Sequence, residues 1–179
     1  MNILVSGASG FFGNNFIRYA SKKGHRIYAM SRYKQKKIKN VKWIIGSLDR
    51  DNKDFKKCEL LIHFASAGVS NRNLPYKKAF EINVIKSSKF LINAAKAGCL
   101  KWIIIGSSSE YGKTLKLGKP VNINSKRLPV CNYGKTKSEF SDLVKILSKK
   151  FNARCRIMRT FPVFGKNENK NRLVPSLLK

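Results

Sequence analysis

Gly7-Ala8-Ser9-Gly10-Phe11-Phe12-Gly13 decides the reading of this chain, because of what lies on either side of it. Before it runs a short apolar, β-branched stretch, residues 2–6 (NILVS). After it come residues 11–23 (FFGNNFIRYASKK), which show helical spacing with Phe12, Phe16 and Tyr19 on one face. A G-x-x-G-x-x-G run on a strand-to-helix turn has a mechanical meaning. Gly7 permits the tight turn, Gly10 lets backbone N–H groups approach a pyrophosphate, and Gly13 lets the helix pack closely on the strand. The helix N-terminus adds its partial positive charge. Ser9, Phe11 and Phe12 lie in the same loop and belong to the expected phosphate cradle.

Outward from this turn, short apolar runs recur at 26–30, 41–45, 59–65, 101–106 and 154–159, each bounded by turn residues. Residues 76–97 and 134–150 carry apolar side chains at i, i+3, i+4 and i+7 and read as long helices. Strands alternating with helices imply an α/β domain with a doubly wound parallel sheet, a Rossmann fold, whose ligands bind beyond the carboxyl ends of the strands. At the end of the second strand, where a carboxylate would hydrogen-bond a ribose 2′-hydroxyl, stand Ser31 and Arg32. Without that carboxylate a 2′-phosphate is not repelled, and Arg32, with Lys34 or Lys36, can pair with it. NADP(H) is therefore favoured over NAD(H); as a plain loop cation, Arg32 is compatible with either.

Tyr133 and Lys137 stand four apart at the start of a helix and project from one face of it. An ammonium beside a phenol stabilises the phenolate and lowers its pKa, which suits proton exchange with a hydroxyl or ketone. The strand at 101–106 runs into Ser107-Ser108-Ser109-Glu110-Tyr111-Gly112, placing hydroxyls where a doubly wound fold puts its substrate.

With the glycine loop, the serine strand and the Tyr133/Lys137 pair, the stretches His63-Phe64-Ala65-Ser66 and Glu81-Ile82-Asn83-Val84 make the sequence resemble the extended short-chain dehydrogenases/reductases of the NAD-dependent epimerase/dehydratase family. The resemblance implies an oxidoreductase acting on a nucleotide-linked sugar by keto-sugar reduction or epimerisation, with Tyr133 and Lys137 as acid/base pair and Asn83 in support. It gives the substrate-positioning role to Ser108, with Ser107 or Ser109 in that part if the one-residue difference in spacing falls otherwise. It also places Ser47, Leu48, Phe64, Ala65, Pro162 and Val163 around the cofactor, and gives Glu110 a role in water elimination unless it is an exposed turn residue. A homodimer through helices 76–97 and 134–150 is a further implication. Relatives continue beyond this length, so the expected division is residues 1–165 as the dinucleotide-binding domain and 166–179 as the opening of a substrate-binding region, the chain being truncated relative to them.

The formal charge of +29 is extreme and would draw anions, but it belongs mostly to lysines spread along the chain. A nucleic-acid-binding module is the weakest alternative, and a non-catalytic NADP(H)-binding fragment or sensor the stronger one. The four cysteines form no C-x-x-C pair, so neither a zinc site nor a disulfide framework is expected. With no long apolar run and no leader-like start, the expectation is a cytoplasmic protein without a membrane segment.

Overall fold

The computed structural model describes residues 1–69, 73–116 and 119–177. Strands β1 (Asn2–Ser6), β2 (Arg26–Ser31), β3 (Val41–Ile45), β4 (Leu60–His63), β5 (Lys101–Ser107) and β6 (Arg154–Thr160) form one sheet in the order β3-β2-β1-β4-β5-β6. Every pairing is parallel. The order reverses between β1 and β4, which opens a crevice at their carboxyl ends, the place where such sheets bind ligands. The register Ser6↔His63 puts the glycine turn beside the chain leaving β4. A Ser6 Oγ to His63 Nδ1 contact of 2.7 Å ties those strand ends together, and burial pushes His63 down to about 3, so the ring is neutral.

Helix α1 (Phe11–Lys22) covers one face of the sheet, while α2 (Tyr76–Phe80), α3 (Ser87–Lys96) and α4 (Asn132–Lys150) cover the other. Alternation along β1 divides the core: Leu4 joins Phe55, Phe90, Trp102 and Phe140, whereas Ile3 and Val5 join Ile17, Ala20 and Ile27. Cover on the α1 side thins toward the β6 edge, where Ile103 and Ile105 are half-buried and Met158 is exposed. A short α5 (Leu173–Leu177) follows β6. None of the described helices is long and apolar enough to cross a membrane.

Three details differ from the sequence expectation. The buried stripe of α1 is Gly13, Ile17 and Ala20; Tyr19 faces solvent, and Phe12 and Phe16 instead pack on Phe64 with ring centroids 6.1 and 5.6 Å away. Close packing of helix on strand, which Gly13 enables, selects the stripe of small and branched side chains over the aromatic one. Residues 76–97 do not form a uniform α-helix, because a π-helical segment (Glu81–Lys86) separates α2 from α3. The apolar run at 59–65 is strand only from Leu60 to His63, and Phe64 to Ser66 belong to the loop beyond it. Of the cysteines, Cys58 and Cys99 are buried in the core, with thiols pushed up to about 12 by desolvation.

Candidate active site

The glycine loop is built around two contacts that a side chain would destroy. Gly7 has φ +66°, and a Cβ there would lie 2.5 Å from the Ala65 nitrogen; a Cβ on Gly13 would lie 2.2 Å from the Gly7 carbonyl oxygen. Gly10 stands at the N-cap of α1 with extended backbone, and no side chain caps the helix. The first turn of α1 holds no acidic residue, so its amides and partial positive charge remain available to an anion.

This loop forms one wall of a cavity of about 630 Å3. Gly7, Gly10, Phe11, Phe12 and Gly13 face Phe64 and Ser66 after β4, Ser107 at the end of β5 with Ser108 and Ser109 beyond it, and Tyr133 on α4. Thr160 at the end of β6 and Phe161, Pro162 and Val163 after it, with Glu168, Asn169 and Arg172, close the remaining side. The carboxyl ends of β1, β4, β5 and β6 thus converge on one space, as the strand order requires.

Glu110 organises the serine turn from inside the protein. Ser107 N donates to its Oε1 at 2.9 Å while Ser107 Oγ accepts from Ser109 N at 3.1 Å, a reciprocal capping box. Oε2 accepts from Ser141 Oγ on α4 and from Arg159 Nε on β6, each at 2.8 Å, and Arg127 lies 3.7 Å away. Gly106 makes room, since a Cβ there would stand 2.6 Å from Oε1. Glu110 is fully buried and does not line the cavity, which corrects the exposed-turn reading. Both its oxygens are taken up by the protein's own donors, so the geometry offers no carboxylate there for water elimination.

Tyr133 enters the cavity at the start of α4, whose N-cap is Cys131, with Sγ accepting from Gly134 N at 3.3 Å. Gly134 fits where no other residue would, 2.4 Å from Ser109 O to its would-be Cβ, so the helix start presses directly on the serine turn. Desolvation raises the Tyr133 phenol above its ordinary value, and the Ser107 and Ser66 hydroxyls pull it partly back. The Lys137 ammonium is buried and donates to the Ile105 carbonyl; burial lowers it to about 8, with Glu110 opposing. The expected depression of the phenol by lysine is therefore not what this geometry gives, because burial outweighs the stabilising neighbours. Of the three serines of the turn after β5 that line the cavity, Ser107 is the one whose hydroxyl interacts with the phenol, and Ser66 meets it from the loop after β4.

Asn83, in the π-helical segment, fastens the loop after β4. Its Oδ1 accepts from Ala67 N at 2.7 Å and from Ser66 Oγ at 3.3 Å, and its Nδ2 donates to Ala67 O and Thr136 Oγ1, each at 3.0 Å. It is buried and reaches the cavity only through Ser66.

Other residues named from sequence lie apart. Ser9 lines a second recess of about 230 Å3 with Asn14, Arg18, Gln35, Lys36, Ile38 and Trp43. Ser31 is buried and donates to Tyr33 O at 2.8 Å, and the Arg32 guanidinium lies over the Tyr33 ring at 5.6 Å, so neither lines a recess. Ser47 donates to Asp49, Leu48 packs on the core, and Ala65 lies behind Gly7. Ser66, Gly134 and Arg18 were not singled out from sequence. Ser66 lay within a quoted motif, whereas nothing local marks Arg18.

A parallel sheet ordered 3-2-1-4-5-6, with a glycine turn at its switch point and a phenol across the crevice, defines a dinucleotide-binding Rossmann domain. The chain belongs to the NAD dependent epimerase/dehydratase family, whose sequence profile matches residues 3–179. It is 21% identical to the UDP-glucose 4-epimerase of Lactobacillus helveticus, covering 100% of this chain and 59% of that one. Among solved structures it resembles MoeE5 in complex with UDP-glucuronic acid and NAD, with TM-score 0.88, 21% identity, and 99% of this chain on 60% of that one. The UDP-glucuronic acid 4-epimerase of Bacillus cereus in complex with NAD gives TM-score 0.82 at 21% identity, over 99% and 61% of the two chains. The chain thus spans about 60% of the length of these proteins.

Proposed function

We propose that this chain is the cofactor-binding core of an NAD(P)-dependent oxidoreductase acting on a nucleotide-linked sugar, by keto-sugar reduction or epimerisation. The observation that carries this reading is a single cavity walled on one side by the glycine loop and on the other by Tyr133 and Ser107. Its fit to a dinucleotide rests on the tight glycine turn that Gly7 and Gly13 allow and on the uncapped start of α1, which has no acidic residue in its first turn, beside the cavity. UDP-glucuronic acid and NAD in the complex of MoeE5 support the choice of ligands. The lack of a carboxylate after β2 supports NADP(H) over NAD(H).

When bound, the nicotinamide supplies hydride acceptance and return. Tyr133 passes a proton between its phenol oxygen and the sugar oxygen, and Ser107 hydrogen-bonds that same oxygen and aligns it. Ser108, one residue further along the turn, lines the sugar side. Because burial holds the phenol above its ordinary pKa, Tyr133 rests protonated, ready to donate to a ketone. Lys137 joins α4 to β5 through Ile105, one turn along α4 from Tyr133, while Asn83 keeps Ser66 and Ala67 in place. Glu168, Asn169 and Arg172 support reading residues 166–179 as the start of a substrate-binding region. Exposed Ile85 and Ile146 support a homodimer through the helices of 76–96 and 132–150.

The test is Tyr133→Phe in the purified chain, with NADPH fluorescence titrated first and keto-sugar nucleotides added afterwards. The variant should keep cofactor affinity and lose turnover by about 100-fold or more, the range of general acid/base contributions. Turnover equal to the parent's would overturn the role of Tyr133. A parent that binds NADPH and oxidises none of it would favour the non-catalytic reading.

A further inference from the structure

We infer that Ser66 is a further catalytic residue: its hydroxyl donates to the Tyr133 phenol oxygen once the phenol's proton has left, and Asn83 is the residue that positions it. This deepens the acid/base reading of Tyr133 and rests on it.

The loop after β4 is built against the start of α4. Ser66 lines the cavity with Tyr133 and Ser107, and Gly68, with φ +92°, comes so near that a Cβ there would lie 3.5 Å from the Tyr133 Cβ. Asn132, the residue before the tyrosine, adds a bond from its Nδ2 to Leu74 O at 3.1 Å. Asn83 then closes a circuit between the two hydroxyl-bearing residues. Its Oδ1 accepts from Ala67 N at 2.7 Å and from Ser66 Oγ at 3.3 Å. Its Nδ2 donates at 3.0 Å to Thr136 Oγ1, which donates in turn to Tyr133 O at 3.1 Å. The π-helical segment that carries Asn83 thus holds the Ser66 loop and the first turn of α4 in one register.

The lengths of these bonds bear on the chemistry. At 3.3 Å the bond from Ser66 Oγ to Asn83 Oδ1 is long for an O–H donor, whereas the same oxygen has a short bond from Ala67 N. The serine can therefore turn its proton elsewhere without leaving Asn83 unsatisfied. When the Tyr133 O–H bond breaks and an O–H bond forms on the sugar oxygen, negative charge is left on the phenol oxygen. Ser66 keeps its own proton and aims it at that charge, a stronger bond than the one it gives up. Lys137, one turn further along α4, donates to the Ile105 carbonyl. Desolvation raises the phenol, the Ser107 and Ser66 hydroxyls lower it, and Glu110 and Cys131 add to the rise. Across the cavity Glu168 and Arg172 pair with each other. Ser66→Ala leaves all these charged groups in place and removes only the hydroxyl.

The experiment follows the Tyr133 phenol itself. In the chain labelled with fluorotyrosine, whose phenol is more acidic than that of tyrosine, the fluorine NMR line missing from Tyr133→Phe is titrated with pH. Ser66→Ala should raise its midpoint by about one pH unit or more, the worth of a hydrogen bond to a charged group. Ser66→Thr, which keeps the hydroxyl, should bring the midpoint back. In turnover, Ser66→Ala should lower kcat by about tenfold near neutral pH with KM little changed, because the bond is strong only after the proton has left. A midpoint that does not rise, a rise that Ser66→Thr does not reverse, or a change confined to KM would overturn the role of Ser66 and leave the acid/base reading of Tyr133 standing. A parent that oxidises no NADPH would remove the reaction reading, and the catalytic role of Ser66 with it, whatever the titration shows.

Discussion

On the β1–β3 flank, Arg18, Lys34, Lys36 and Lys37 stand where the chain has not yet reached its first acidic residue, Asp49. On the β5–β6 flank the one carboxylate of Glu110 is fully enclosed and gathers Arg159, Arg127 and Ser141 around it. Those four cations have no carboxylate partner among the described residues, whereas the other flank uses an inside anion to hold its own cations. The difference teaches that the net charge of +29 is not one property but two. Near the glycine loop charge is left without carboxylate partners, and at the serine turn it is a means of alignment, because Glu110 joins the ends of β5 and β6 to α4.

The comparison can be broken most readily at Glu110. Glu110→Gln removes the buried anion and leaves two arginines facing an uncharged amide, so urea denaturation should register a loss of about 3–5 kcal/mol; a loss below about 1 kcal/mol would mean that the network is not structural. Next comes Gly13→Ala, whose Cβ would meet the Gly7 carbonyl. Its overpacking should cost about 1–3 kcal/mol and abolish NADPH binding, as measured by melting and fluorescence titration. Undiminished affinity would show that the loop tolerates a side chain and does not cradle a diphosphate.

Lys137 sharpens the contrast, since it is a cation of the aligning flank buried at some cost. Its folded pKa of about 8 lies below its ordinary 10.5, so between those values the unfolded chain holds the proton more tightly. Its charge therefore destabilises the fold at neutral pH, and that penalty fades as the pH rises through about 8 toward 10.5. Lys137→Met should be more stable than the parent at pH 7, by roughly 2 kcal/mol, and the advantage should shrink by about pH 10. An advantage that grows with pH would reverse the sign. The smallest effect belongs to the β1–β3 flank: Lys22→Gln, exposed at the end of α1, should change stability by no more than about 0.5 kcal/mol.

What was legible in the sequence was whatever is decided locally. The glycine turn could be read because φ, close approach and helix packing are all settled within seven residues, and the strand–helix alternation followed from short-range periodicity. Glu110 could not, because its burial depends on Arg159, Ser141 and Gly106, which only the folded sheet brings together. The stripe on α1 was misread for a related reason: Phe12, Phe16 and Tyr19 have helical spacing, yet a helix pressed against its strand at Gly13 has room there only for Ile17 and Ala20. Arg32 was the obvious cation after β2, but an aromatic neighbour attracts it. Which serine stands beside the phenol turns on one residue of spacing that sequence left open; in the fold it is the Ser107 hydroxyl that meets Tyr133, at the turn capped by Glu110.

The π-helical turn at Glu81–Lys86 carries a consequence for how this protein can change over time. Exposed letters along that helix can drift one at a time, but its length cannot. Deleting one residue there would relax the wide turn to an ordinary one and swing whatever follows by about 100°, so that either Asn83 would leave the Ala67 loop or Phe90 and Leu91 would leave the core. Insertions and deletions are thereby barred from a stretch whose exposed positions, Glu81 and Ile85, can still change.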